Sequence, residues 1–166
     1  EYNEIMNLTG ITEKDQVYLK HFYDSLTIIK IIDLEKQETL CDIGTGAGFP
    51  GMVLKIVFPN LKITLVDSLN KRIEFLKAVK ERLKLENLEI IHARAEEFAK
   101  INIEKFDVVT ARAVAHLSIL LEYSIPMVKI KKYFIAMKGN INEELEESKN
   151  AIKLLNSKLE EVIEFK

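Results

Sequence analysis

The chain has 166 residues, enough for one domain with a substantial core. Its composition is that of an ordinary globular protein, and no apolar run approaches the roughly 20 residues that a membrane-spanning helix needs. The net charge of -2 excludes the overall basicity typical of nucleic-acid-binding domains, so any RNA affinity must come from a local patch. The single cysteine, Cys41, can form no internal disulfide and fits a reducing cytoplasm.

The predicted elements alternate along the chain between helices and short, buried strands. Residues 13–33 have apolar side chains at helical spacing and predict an N-terminal helix. Strands are then expected at residues 39–43, 62–66, 88–91, 106–110 and 133–137. Helices are expected at residues 50–58, 69–83, 117–130 and 142–159. This alternation is typical of an α/β fold, with a mostly parallel sheet covered by helices on both faces. We expect one domain, with residues 1–36 as a helical extension and residues 37–166 as a cofactor-binding core.

A glycine-rich stretch, DIGTGAGFPG, joins the first predicted strand to the next helix. Glycines at such a junction let a ligand approach the backbone N–H groups of a helix N-terminus. Gly46, Gly48 and Gly51 fit the dinucleotide fingerprint G-x-G-x-x-G. Gly44 begins a second, tighter register, G-x-G-x-G. In either register, Asp67 follows at about the ~20 residues expected of an acid that binds ribose hydroxyls.

The acid that precedes these glycines favours one of the two ligands. A dinucleotide would bring a pyrophosphate to this turn, and the carboxylate of Asp42 would repel it. S-adenosylmethionine carries an ammonium and a sulfonium instead, and a carboxylate at the strand end suits both charges. The pattern therefore favours a Rossmann-like, class I S-adenosylmethionine-dependent methyltransferase. An NAD-dependent oxidoreductase or a dinucleotide-binding regulatory module is the alternative.

Seven motifs spread along the chain point to one family. They are NLT at residues 7–9, HFYDS at 21–25, DIGTGAGFPG at 42–51, DSLNKRIEFL at 67–76, ARAEEF at 93–98, TARAVAHL at 110–117 and MKG at 137–139. In these motifs the chain resembles the bacterial 16S ribosomal RNA guanine-N7 methyltransferase family, also called glucose-inhibited division protein B. The resemblance implies methylation of one guanine, with 16S rRNA or the small ribosomal subunit as partner. A small-molecule methyltransferase is a second alternative, and the sequence does not specify an oligomeric state.

The cofactor site is predicted where the strands end. Reasoning from the residues predicts five contacts with S-adenosylmethionine: Asp42, Gly46, Gly48, Asp67 and Ser68. The resemblance adds five more: Gly44, Phe49, Ala95, Glu96 and Arg112. No His, Cys, Asp and Glu cluster has the spacing of a metal site, so no metal is expected.

The reaction implied by the resemblance asks little of catalytic groups. N7 of guanine has an in-plane lone pair that is already nucleophilic, so the enzyme need only hold nitrogen, methyl and sulfur in line. Arg112 stays protonated and is expected to position the target rather than to act as a base. Cys41 lies inside the first strand and is interpreted as a small buried hydrophobe rather than a nucleophile.

Four side chains near the same edge are predicted to contact RNA: His21, Lys71, Arg72 and Lys138. Lysine and arginine side chains there could hold phosphates, each adding to a salt-dependent affinity. A basic run at residues 129–132 is expected at the opposite end of the sheet and is interpreted as a solvated face. An acidic run at residues 143–147 would repel RNA and is expected to lie away from it. Residues 7–9 are expected to place the N-terminal helix over the pocket.

Overall fold

The computed structural model describes residues 13–112 and 114–165, so the predicted role of residues 7–9 lies outside the described residues. The first helical segment, α1, is a series of four short turns: Lys14–Val17 (α), Tyr18–Tyr23 (π), Asp24–Leu26 (α) and Thr27–Lys30 (3-10). Ser25 and Ile28 are fully buried on its inner side, and Ile28 belongs to the hydrophobic core. The segment is therefore packed against the sheet, and its π turn faces the carboxyl ends of the strands.

Among the described residues, five strands and five further α-helices follow α1. The strands are β1 (Thr39–Ile43), β2 (Lys62–Asp67), β3 (Leu88–His92), β4 (Phe106–Arg112) and β5 (Val128–Met137). The helices are α2 (Gly51–Val57), α3 (Asn70–Leu83), α4 (Ala95–Lys100), α5 (Leu117–Ser124) and α6 (Asn142–Leu154). No helix among the described residues is both long and apolar enough to cross a membrane.

The strands form one sheet in the order β3-β2-β1-β4-β5, and every pair is parallel. This confirms the predicted α/β fold. The register aligns the strand ends: Asp42 lies beside Thr110, and Asp67 lies beside His92. The strand order reverses between β1 and β4, which opens a crevice beyond their carboxyl ends where ligands of such sheets bind.

Two apolar clusters cover the two faces of the sheet. On one face, Leu40 and Leu65 pack with residues of α1, α2 and α3. On the other face, Cys41 and Ile43 pack with residues of α4 and α5. Cys41 is fully buried, and burial raises the pKa of its thiol well above the usual value, as expected of a core residue.

Three predicted boundaries and one missing helix are corrected by the structure. The helix predicted at residues 117–130 ends at Ser124, because Pro126 lacks the N–H that would continue its hydrogen bonding and instead lies in a 3-10 turn. β5 then begins at Val128 rather than at residue 133, with a register shift after Val128. The last helix ends at Leu154 rather than at residue 159, and α4 lies where no helix was predicted.

The basic run at residues 129–132 lies at the opposite end of the sheet from the crevice, as predicted, but it is not simply solvated. Lys129 Nζ lies 3.0 Å from Asp107 Oδ1, and Lys132 Nζ lies 3.7 Å from the same oxygen. The other oxygen, Oδ2, accepts hydrogen bonds from the backbone N–H groups of Glu38 and Thr39. This cluster ties the start of β1 to β4 and β5.

Candidate active site

The loop after β1 turns on glycines with left-handed backbone. Gly44, Gly46 and Gly48 have φ values of 65°, 61° and 96°, a region that other residues enter only with strain. A Cβ on Gly46 would meet nothing nearer than a backbone oxygen at 4.0 Å, so its outer side is open space. A ligand can therefore approach the backbone at Gly46.

The other glycines of this loop are required by packing. A Cβ on Gly44 would lie 2.6 Å from Val114 Cγ2, and one on Gly48 would lie 2.7 Å from Met52 Cβ. A Cβ on Gly51 would lie 2.3 Å from Leu65 Cδ2. The glycines of the two sequence registers therefore serve two purposes: Gly46 leaves space for a ligand, whereas the others allow close packing. Gly48 packs the loop onto α2.

Asp42 lies beneath the loop and is fully buried. Its Oδ2 accepts hydrogen bonds from Thr45 Oγ1 at 2.6 Å and from the Gly51 N–H at 2.8 Å. Its Oδ1 is also buried and has no hydrogen-bond partner among the described residues. Burial raises the pKa of this carboxyl to about 6, against the opposing effect of its hydrogen bonds. Asp42 therefore holds the loop with one oxygen and leaves the other without a donor.

Asp67, at the end of β2, faces the same loop and is 2% exposed. Its Oδ2 accepts from the Gly46 N–H at 2.9 Å, and its Oδ1 accepts from the Leu69 N–H at 2.9 Å. Arg72 Nη1 lies 3.3 Å from Oδ2. The carboxylate is thus fixed in place beside Gly46 by backbone amides and one guanidinium.

A cavity of about 510 Å³ opens above these groups. Eight of the ten predicted cofactor contacts line it: Gly44, Gly46, Phe49, Asp67, Ser68, Ala95, Glu96 and Arg112. Asp42 does not, because it is buried beneath the loop, and Gly48 does not, because it packs the loop onto α2. Arg94 and Tyr123 also line the cavity and are not among the ten predicted cofactor contacts. Arg94 follows the third strand, which is the signal that could have found it, whereas Tyr123 lies on α5 and no local pattern marks it.

A stack of aromatic and cationic side chains forms one wall of the cavity. The His21 and Phe49 rings stack with centroids 4.8 Å apart, and Arg112 Cζ lies 5.4 Å from the Phe49 centroid. Arg112 donates from Nη2 to His21 Nδ1 at 3.2 Å and from Nη1 to the Lys20 carbonyl at 3.3 Å. Burial first, and then the charge of Arg112, lower the pKa of His21. A neutral imidazole can accept the hydrogen bond from Arg112. Through these contacts α1, the glycine loop and β4 meet at one point.

The four predicted RNA contacts differ in their surroundings. His21 and Arg72 line the cavity, and Lys71 is exposed at the start of α3. Lys138 is enclosed: its side chain is 9% exposed, and its Nζ pairs with Glu144 and donates to the Ala115 carbonyl. An amino group held in this way is not available to an RNA phosphate, so the prediction for Lys138 is corrected.

Comparison with known proteins identifies the family. The sequence model of the family described as "rRNA small subunit methyltransferase G" matches residues 1–166. The protein named ribosomal RNA small subunit methyltransferase G of Bacillus licheniformis is 54% identical over 99% of this chain and 70% of the relative. The protein of the same name from Exiguobacterium sibiricum is 52% identical over 99% of this chain and 71% of the relative.

The chain belongs to the rRNA small subunit methyltransferase G family. The predicted family, enzyme class and methyl donor are thereby confirmed, and neither the dinucleotide nor the small-molecule alternative describes this family. Among solved structures, a SAM-dependent methyltransferase from Aquifex aeolicus is similar with a TM-score of 0.68 and 19% identity, over 99% of this chain and 92% of that one. This likeness supports the Rossmann-like fold.

The open side of Gly46 gives a test of the cavity in this family member. Gly46→Ala should lower the free energy of unfolding by about 1–2 kcal/mol, because of the left-handed backbone. It should also weaken S-adenosylmethionine binding by roughly tenfold or more, because the methyl group would enter the ligand's space. Calorimetry and thermal melting measure the two effects. Gly139→Ala is the matched control, since a Cβ there meets nothing within 4 Å, and it should change neither. Unchanged donor affinity in Gly46→Ala would contradict this placement of the ligand.

Proposed function

We propose that this chain transfers the methyl group of S-adenosylmethionine to N7 of a specific guanine in 16S ribosomal RNA. The single observation that carries the site assignment is the cavity at the switch between β1 and β4. It has a fixed carboxylate, Asp67, on one side and the Arg112–Phe49–His21 stack on the other. Family membership supports the reaction and the RNA substrate. The proposed partner is 16S rRNA, free or within the small ribosomal subunit, and a cytoplasmic place of action follows from that substrate.

Two features fit the donor. The open space at Gly46 lies beside the Asp67 carboxylate, where ribose hydroxyls could donate to its oxygens. Asp42 lies beneath the loop, and its buried charge, which acts on Arg112 in the cavity wall, would attract the ammonium of S-adenosylmethionine. Ser68, Ala95 and Glu96 would then border the adenine, since they follow β2 and β3 on the far side of the cavity.

The proposed roles at the target follow from the chemistry of N7. The donor supplies an electrophilic methyl group on a sulfonium. The N7 lone pair forms the new bond to carbon, the carbon–sulfur bond breaks, and its electron pair stays on sulfur, so no proton has to be removed. Arg112 and Phe49 hold the plane of the base in line with the methyl group, which is catalysis by positioning. The step written in this way requires no metal ion.

RNA affinity is assigned to the cations at the rim. Lys71 is exposed beside the cavity, and Arg72 keeps 34% of its side chain exposed despite its contact with Asp67. His21 is assigned to the target base through its place in the stack. Each phosphate contact should add to the salt dependence of binding. Residues 37–166 are proposed as the donor-binding core, and residues 1–36 as the extension that forms the target side.

The titration of Asp42 should make the stability of the fold depend on pH. Its pKa of about 6 exceeds the ordinary 3.8, so the folded chain binds this proton more tightly than the unfolded chain. The contribution of this carboxyl to the free energy of unfolding therefore falls by about 3 kcal/mol as pH rises from about 4 to about 6. Asp42→Asn should remove that slope, because an amide does not titrate.

The same group should make donor binding depend on pH. Wild-type affinity for S-adenosylmethionine should fall as pH drops below about 6, because protonation removes the negative charge beneath the loop that attracts the ammonium. Asp42→Asn should bind more weakly at pH 7.5, with less change on acidification. Calorimetric titration at pH 7.5 and at a pH below 6, with NAD as a second ligand, measures these affinities. Binding of NAD but not of S-adenosylmethionine would overturn the donor assignment, and wild-type affinity in Asp42→Asn would overturn the role of the carboxylate.

A further inference from the structure

A largely enclosed ion pair joins the C-terminal half of the fold to residues 115–117, just before and at the start of α5. Lys138, directly after β5, places Nζ 2.5 Å from Glu144 Oε2 on α6. The same Nζ donates to the Ala115 carbonyl at 2.7 Å, and Glu144 Oε2 accepts from the Leu117 N–H at 2.8 Å. We name this set of four residues, Ala115, Leu117, Lys138 and Glu144, the loop brace.

The loop brace is enclosed, unlike the other charge pair on α6. The side chains of Lys138 and Glu144 are 9% and 25% exposed, whereas Glu146 and Lys149 are 69% and 65% exposed. The pKa of Glu144 is lowered, chiefly by its hydrogen bond with Lys138. Removing one partner of an enclosed pair leaves the other charge uncompensated, which costs much more than loss of an exposed pair.

The loop held by this brace forms part of the cavity. Val114 lines the cavity and packs closely on Gly44: a Cβ built on Gly44 would lie 2.6 Å from Val114 Cγ2. His116 adds a second tie to α6, with Nε2 2.9 Å from Glu147 Oε2. The described part of this loop begins at Val114, two residues after Arg112, so it lies between the glycine loop and the strand that carries the guanidinium.

We propose that Glu144 is a positioning residue for methyl transfer, which through Lys138 and the Leu117 N–H fixes residues 114–117 against the glycine loop. This inference rests on the proposed function. In the proposed function Glu144 touches neither S-adenosylmethionine nor the target guanine. Its loss should therefore lower kcat more than it changes the binding of S-adenosylmethionine or of RNA.

The test compares Glu144→Gln with Glu146→Gln, the same substitution at an exposed pair on the same helix. For Glu144→Gln we expect kcat for 7-methylguanosine formation to fall at least tenfold, with the Kd for S-adenosylmethionine within threefold of wild type. Amide exchange at Leu117 should speed up at least tenfold in the free protein. Glu146→Gln should match wild type in all three. If Glu144→Gln does not fold, Glu144→Asp, which keeps the charge, takes its place, with the same direction of change expected.

The outcomes separate the two proposals. Wild-type kcat together with wild-type exchange at Leu117 in Glu144→Gln would overturn the loop brace. An equal loss in Glu146→Gln would also overturn it, because the effect would then belong to the charge of α6 in general. If the wild-type protein forms no 7-methylguanosine, the proposed function fails, and exchange at Leu117 still decides whether Glu144 fixes the loop.

Discussion

Arg112→Ala is expected to slow methyl transfer by about 10²-fold, the loss that follows when a target is misplaced by about 1 Å. The guanidinium lies over Phe49 and binds both His21 and the Lys20 carbonyl, so its removal frees three elements that meet at the target side. Donor affinity should change far less, because Asp67 and the glycine loop are fixed independently of Arg112. Single-turnover transfer at saturating donor, with calorimetry for donor binding, separates the two quantities.

Arg112→Lys is the matched control for this prediction. Lysine keeps the charge but has neither the planar guanidinium nor the paired donors that reach His21 and Lys20 together. We expect it to recover only a small part of the rate. Full recovery in the lysine variant would show that charge alone suffices, and a wild-type rate in Arg112→Ala would remove Arg112 from the mechanism.

Asp67→Ala is expected to weaken S-adenosylmethionine binding by about 10³-fold. Two ribose hydroxyls donating to a charged acceptor contribute about 2 kcal/mol each, and a factor of ten corresponds to about 1.4 kcal/mol. The Gly46 and Leu69 amides would also lose their acceptor, so the loop beside the donor would be less fixed. Asp67→Asn keeps the size and one acceptor and should fall between the alanine variant and wild type. Isothermal titration calorimetry measures all three.

Asp107→Asn controls for the general effect of losing a buried carboxylate. Asp107 is 3% exposed and, like Asp67, accepts two backbone N–H hydrogen bonds and pairs with a cation, but at the opposite end of the sheet. Its replacement should lower the melting temperature and leave donor affinity unchanged. Equal losses of donor affinity in the Asp67 and Asp107 variants would mean that stability, not ribose binding, explains the result.

Local pattern was sufficient for the parts of the fold that alternate most clearly. The apolar run at Thr39–Ile43 and the glycines after it predicted β1 and the loop. A strand buried on both faces needs apolar residues, and a left-handed turn favours glycine, so the sequence is restricted in both parts. Asp67 could be predicted because its distance from the glycines is set by one crossover unit. The start of β5 could not, since Lys129, Lys131 and Lys132 resemble a solvated helix until Asp107 is seen beside two of them.

Pairing between distant residues accounts for what the sequence did not reveal at the site. Lys138 was predicted to contact RNA because it follows a strand, but Glu144 lies on the next helix and encloses its charge. The acidic run that contains Glu144 is expected from its charge to lie away from RNA, but the hydrogen bond that Glu144 accepts from Leu117 spans 27 residues and no local pattern predicts it. Asp42 was predicted from its charge alone, whereas its contacts with Thr45 and Gly51 depend on how the loop folds back over it.

The most direct test of the proposed function is a nucleoside analysis after reaction. The protein is incubated with labelled S-adenosylmethionine and 16S rRNA that lacks the modification, supplied both as free RNA and within small ribosomal subunits. The RNA is then digested to nucleosides, and the labelled nucleoside is identified by mass spectrometry. We predict label in 7-methylguanosine from at least one of the two substrates, and its loss with Arg112→Ala. Label in any other nucleoside would contradict N7 as the acceptor, and no label from either substrate, with donor binding intact, would contradict RNA as the target.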